Sequence, residues 1–154
     1  MIHQPLTYGG WMQQASDVEI EAKEMNHLKS LVERKKISDF VKFLGHRDNV
    51  EIAKIYSEHH TLILPSINEV WGLVVNEALA SGMHVVVSNK CGVTDLIKDM
   101  KGCFFCGTDE SSIANAMQNS CRNWQGHIEM PEILEFTPEK WADSVVQKIF
   151  AELH

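Results

Sequence analysis

Residues 61 to 88 read TLILPSINEVWGLVVNEALASGMHVVVS. Two short runs, Thr61-Leu62-Ile63-Leu64 and His84-Val85-Val86-Val87-Ser88, are nearly continuous in apolar and β-branched residues, without the alternation of a strand that has one wet face. Such strands are covered on both sides. Pro65 stops the first run and Ser66 to Trp71 reads as loop. Leu73 to Ser81 then predicts a helix closed by Gly82 in the C-terminal cap position. Strand, loop, helix and strand in that order form the repeating unit of a parallel sheet.

The same alternation extends outward from this stretch. Upstream, Ser16 and Glu19 have the spacing of a capping box, and Val18, Ala22, Met25, Leu28, Leu31 and Val32 fall near helical spacing, which predicts a helix to about Lys36. Phe40-Val41-Lys42-Phe43-Leu44 predicts a short strand ending at Gly45, and Asp48 or Asn49 caps a helix through Ile52, Ile55 and Tyr56. Downstream, Asn89 to Gly92 is a turn, Thr94 to Met100 a short helix, and Cys103-Phe104-Phe105 a last strand. Gly107-Thr108-Asp109 turns into a helix from Glu110 to about Cys121. Asn123 to Glu135 is irregular, and Thr137-Pro138 opens a terminal helix over about 138–153. The fold class expected is α/β: a Rossmann-like three-layer α/β/α sandwich with a mostly parallel sheet, one domain over residues 1–154.

Composition narrows the function. Against 21 Asp and Glu stand 14 Lys and Arg, a formal net charge of -7, and the one basic cluster, Arg34-Lys35-Lys36, reads as a solvated helix end, with a membrane-surface contact as the alternative. Nucleic acid is not an expected partner, because affinity for a phosphate backbone needs concentrated positive charge. No apolar run reaches the 18 or so residues that span a bilayer, and Met1-Ile2-His3-Gln4-Pro5 lacks the plan of a signal peptide, so a cytoplasmic location is expected. Cys103 and Cys106 have the spacing of half a zinc site, but no second pair follows, and on a strand two residues three apart point to opposite faces. His46, His59, His60 and His84 show no ligand spacing either, so no metal is expected.

In open parallel sheets ligands sit beyond the carboxyl ends of the strands. Three loops meet that rule: Gly45-His46-Arg47, Pro65 to Gly72, and Ser88 to Gly92. The second carries the chemistry. The amides of Gly72, Leu73 and Val74 stand at a helix N-terminus, where backbone donors lack intrahelical partners and form a cradle for phosphate. Glu69 in the loop and Glu77 inside the helix stand eight positions apart. Ionised carboxylates accept hydrogen bonds from hydroxyl groups and do not contact phosphate oxygens usefully, so a sugar and a ribose suit them. A sugar nucleotide fits this set better than ATP. Trp71 beside it is a sugar platform or packing; Glu69 and Glu77 read alone could equally be a solvated loop residue and a pairing helix residue.

The stretch Leu64 to Gly82, with its two glutamates separated by seven residues, resembles the signature of retaining GT-B glycosyltransferases of the group 1 family. Val41-Lys42-Phe43-Leu44-Gly45-His46 resembles the family's strand and turn before the nucleobase pocket, and Ile55-Tyr56 through Ser66 resembles the helix and strand before the signature. Ala80 to Ser88, Cys91-Gly92 and Phe136 to Trp141 continue the series, with Met83-His84 where the family usually has proline. The resemblance implies that this chain is the C-terminal, donor-binding half of such an enzyme. Glu69 is then the catalytic carboxylate, on hydroxyls of the donor sugar. Glu77 holds the ribose, and Gly72, Leu73 and Val74 hold the diphosphate. Ser66 and Trp71 line the site, and Gly45, His46 and Arg47 face the base.

No cofactor and no metal are implied, only a donor such as a UDP- or GDP-sugar. The implied reaction of the full-length parent transfers a hexose to a saccharide or lipid-linked acceptor, with polysaccharide or glycoconjugate synthesis as its setting and the inner face of the membrane as a second location. One departure matters. The family's domain opens with a strand ending in a glycine-arginine turn followed by a lysine, and neither is found here, so both are expected upstream of Met1 together with an N-terminal acceptor domain. Leu6-Thr7-Tyr8-Gly9-Gly10 reads as the second strand and its turn. Without those cations on the leaving diphosphate the chain alone is expected to be inactive. The alternatives are a binding subunit of a split glycosyltransferase and another Rossmann-like sugar-nucleotide enzyme, such as an epimerase relative.

Overall fold

The computed structural model describes residues 15–137 and Lys140. The chain divides into two units, Met1–Arg47 and Asp48–His154. In the first, α1 spans Ala15–Arg34, so Ser16 lies inside the helix rather than at its cap. It ends where Lys36 N–H donates to Glu33 O (3.0 Å) and Ile37 N–H to Val32 O (3.1 Å), with Lys36 in the left-handed region at φ 56°. That pair of bonds is the Schellman closure, usually built on glycine. Arg34 stands in the last turn, where a cation meets the negative end of the helix.

The strand expected over Phe40 to Leu44 does not form. Ser38–Phe40 is a single 3-10 turn, with Phe40 N–H on Ile37 O (2.9 Å), and residues 41–45 make no ladder with any strand among the described residues. Phe40 is 81% exposed. The β preference of such residues reflects packing on a pleated surface, and without a neighbouring strand it has nothing to act on.

The second unit follows the predicted alternation. α2, Asn49–Glu58, is capped by Asp48, whose carboxylate accepts from Glu51 N–H (2.8 Å) while Asp48 N–H donates to the Glu51 carboxylate (3.2 Å). Strands β1 (Thr61–Leu64), β2 (His84–Ser88) and β3 (Cys103–Cys106) pair in parallel in the order β1-β2-β3, with Leu62 opposite Val85 and Val87 opposite Phe105. The crossovers are α3 (Leu73–Ala80) and the short α4 (Thr94–Ile97); α5 (Glu110–Asn123) follows β3 and is capped by Asp109 on Ser112 N–H (2.9 Å). α3 closes through Gly82, φ 77°, with Met83 N–H on Ala78 O (3.1 Å).

Strand parity sorts the core into two layers. Leu62, Leu64, Val85 and Val87 face Tyr56 of α2, Val75, Ala78 and Leu79 of α3, and Ile97 of α4, with Cys103 and Phe105 packed against the same cluster. Ile63, Val86, Phe104 and Cys106 face Ile113 and Ala116 of α5. Helices therefore cover both faces, which is why β2 is buried at every position. The same parity puts Cys103 and Cys106 on opposite faces, as expected from their spacing. Residues 123–137 are irregular apart from the 3-10 turn Glu132–Glu135. The Thr137 hydroxyl accepts from Lys140 N–H (3.3 Å), in keeping with the expected cap. The rest of the terminal helix, and the strand expected at Leu6 to Gly10, lie outside the described residues. No helix among the described residues is long and apolar enough to cross a membrane.

Candidate functional site

β1 and β2 run side by side, so the loops leaving their carboxyl ends are neighbours, and the structure ties them together. An isolated parallel bridge pairs Glu69 with Cys91: Gly92 N–H donates to Glu69 O (3.0 Å) and Val93 N–H to Trp71 O (3.1 Å). The second loop is held from within by the Thr94 hydroxyl on Cys91 O (2.6 Å) and by Lys90 N–H on the buried Ser88 hydroxyl (3.1 Å). Gly92 permits the contact, since a Cβ there would lie 2.0 Å from Val70 O.

Gly72 caps α3 in the left-handed region, φ 89° and ψ 57°. This turn swings the chain from the loop into the helix and leaves the amides of Gly72, Leu73 and Val74 without an acceptor among the described residues; Val75 is the first to donate backward, to Gly72 O (2.9 Å). A Cβ on Gly72 would touch Glu69 Cγ at 3.6 Å, so the Glu69 side chain stands beside the open helix end. Its Oε1 accepts from Trp71 N–H at 3.4 Å. The Cys91 thiol is pushed up, first by burial and then by the Glu69 carboxylate. Trp71 keeps 43% of its surface exposed, and Ile67, Val70 and Leu73 around it are exposed as well.

Glu77 lies one turn further into α3, exposed, with its Oε2 accepting from the Tyr56 hydroxyl at 3.4 Å. Tyr56 is buried on α2, and its phenol is pushed up to about 12 by burial and then by the Glu77 charge, so it is a neutral donor. The sequence reading missed this residue; in a helix 21 positions from its partner, no local pattern marks it.

The structure thus brings together Glu69, Trp71, the amides of Gly72, Leu73 and Val74, and the Cys91-Gly92 turn. Ser66, half-buried, opens the same loop after β1. Gly45, His46 and Arg47 belong to the first unit, where Gly45 takes φ 68° in a loop and His46 is exposed. Among the described residues no group of three or more His, Cys, Asp or Glu is placed to hold a metal ion.

A parallel sheet with helices on both faces and an open helix N-terminus at its strand ends defines a Rossmann-like α/β domain. The chain belongs to the glycosyl transferases group 1 family, whose model matches residues 13–133. It is similar to the D-inositol 3-phosphate glycosyltransferase of Corynebacterium kroppenstedtii, 35% identical over 97 residues, covering 62% of this chain and 22% of the relative. It is also similar to the enzyme of that name from Stackebrandtia nassauensis, 38% identical over 82 residues, 53% of this chain and 18% of the relative. Among solved structures it resembles sucrose-phosphate synthase from Thermosynechococcus elongatus, with a TM-score of 0.60 and 28% identity over 66% of this chain and 26% of that one. The chain thus spans about a fifth to a quarter of the length of the relatives it matches.

Proposed function

We propose that this domain binds a nucleoside-diphosphate sugar at the carboxyl ends of β1 and β2, as the donor half of a retaining glycosyltransferase. The observation that carries the reading is the open N-terminus of α3: three successive amides without acceptors beside the Glu69 carboxylate. Backbone donors and the helix dipole suit a diphosphate there. Glu69 accepts from hydroxyls of the sugar and, held at the reacting end of the donor, is the catalytic carboxylate. Glu77, one turn away on the same helix, accepts from the ribose hydroxyls. Trp71 and Ser66 border the sugar.

The parent enzyme transfers a hexose from a UDP- or GDP-sugar to a saccharide or lipid-linked acceptor, with the acceptor site on a separate domain. Two relatives named as D-inositol 3-phosphate glycosyltransferases and a synthase of sucrose phosphate support a sugar donor and a hydroxyl acceptor. Titration of the chain with UDP, GDP, ADP and their sugar conjugates by calorimetry tests the reading. One base is expected to be preferred, and Glu77→Ala to weaken it by about 1–3 kcal/mol, the scale of a hydrogen bond to a charged group. Glu69→Ala is expected to weaken the sugar conjugate more than the bare nucleotide. Equal losses would remove Glu69 from the sugar, and an unchanged Glu77→Ala would remove Glu77 from the ribose.

A further inference from the structure

Glu77 is exposed, and among the described residues no group on α3 bonds its carboxylate. A flexible glutamate loses rotamer freedom whenever it binds a ligand, and that loss subtracts from affinity. The structure supplies a restraint from α2. The Tyr56 hydroxyl reaches Glu77 Oε2 at 3.4 Å, while Oε1 has no partner among the described residues.

Tyr56 is itself firmly held. Its side chain is 4% exposed and belongs to the main core cluster with Leu62, Leu64 and Val75. The helix that carries it is fixed at both ends, by the reciprocal Asp48 and Glu51 cap at its start and by the His127 ring at its finish, where Nε2 lies 3.4 Å from Tyr56 O and 3.1 Å from His59 O. A phenol in apolar surroundings keeps its proton, so toward a carboxylate it acts as a donor only.

We infer that Tyr56 is a positioning residue for nucleotide binding: its hydroxyl holds one oxygen of Glu77 and presents the other to the ribose hydroxyls. This rests on the donor-site reading above. It adds that ribose selectivity is set from the core of the domain, by a side chain that never meets the ligand. A carboxylate with one oxygen tethered selects for a hydroxyl pair at one place, as preorganised sites do.

The test compares the ribonucleoside diphosphates UDP, GDP and ADP with their 2′,3′-dideoxy counterparts, using calorimetry on the whole chain and its Tyr56→Phe, Glu77→Ala and Tyr56→Phe/Glu77→Ala variants. Tyr56→Phe keeps the buried ring and removes only the hydroxyl, and an unchanged thermal midpoint checks that the fold survives. Tyr56→Phe is expected to weaken the preferred ribonucleotide by about threefold to tenfold, the effect of one hydrogen bond, and its dideoxy form by less than about twofold. In Glu77→Ala the added Tyr56→Phe change is expected to have no further effect, because the tyrosine acts through the glutamate. Equal weakening of both nucleotides by Tyr56→Phe, or none, overturns the positioning role while selective loss in Glu77→Ala leaves the donor site standing. Loss of ribose discrimination in neither variant, or binding of no nucleotide by the wild-type chain, overturns the donor-site reading and the positioning role with it.

Discussion

His84 opens β2 with 6% of its surface exposed, its ring 5.3 Å from that of Phe104 and 4.8 Å from that of Trp124. Its Nδ1 lies 3.2 Å from the Ser120 hydroxyl, which in turn lies 2.8 Å from that of Thr61. Burial holds the His84 pKa below 6.5, and the bond to Ser120 opposes that only in part. As pH falls below 6.5, the unfolded chain takes up a proton at this position before the folded one does, so stability rises with pH across the window between the two values. The thermal midpoint is therefore expected to drop as pH is lowered from about 7.5 toward about 5.5, and His84→Gln to flatten the drop. An undiminished slope in His84→Gln would assign the sensitivity to other groups. At this scale Glu69 and Glu77 were legible from residue type and spacing, while Tyr56 and the ring cluster around His84 were not. Their contacts join positions 20 to 60 apart, which no local spacing encodes.

Helices and strands of the second unit followed from local rules, because each of their signals is contained within the element. Of the two caps open in the sequence, Asp48 and Asn49, the structure uses Asp48, and the apolar runs at 61–64 and 84–88 are β1 and β2. Phe40 to Leu44 failed for the complementary reason: a strand is a partnership, and its own residues say little about whether a neighbour stands beside it. The bridge between the two site loops is likewise decided by pairing. Gly92→Ala would drive a methyl group into Val70 O and separate Glu69 from Cys91. Urea unfolding is expected to show a loss of about 1–3 kcal/mol, the cost of forcing a methyl group into a packed contact. Nucleotide affinity is expected to fall with it. Wild-type stability in Gly92→Ala would mean that the two loops are not held together in solution.

For the folded unit as a whole, the site depends on the core beneath it. The carboxyl ends of β1 and β2 lie together because Leu64 pairs with Val87, and Leu64, Val75 and Leu79 lock α3 against that pair. Leu79→Ala is expected to cost about 2–5 kcal/mol by urea unfolding, the range for emptying a fully buried leucine site. Met117→Ala on the 40% exposed flank of α5 is expected to stay within about 0.5 kcal/mol. Comparable losses at the two positions would contradict the two-layer packing. A free energy of this size in Leu79→Ala is a large share of a domain's whole stability, so loss of the candidate site is expected to follow by unfolding rather than by altered chemistry.

The order of strands and helices between residues 48 and 123, the burial of β2 on both faces, and the place of Glu69 in the loop before α3 and of Glu77 within it were determined by the sequence alone. Periodicity, caps and charge act over a few residues and can be read along the chain. Only the tertiary structure decided that residues 41–45 form no strand among the described residues, that the Glu69 and Cys91 loops bridge, and that the hydroxyl of a buried tyrosine on α2 reaches Glu77. Those outcomes depend on which distant segments meet, and hydrogen bonds and close contacts form only between groups that the packed core has already brought together.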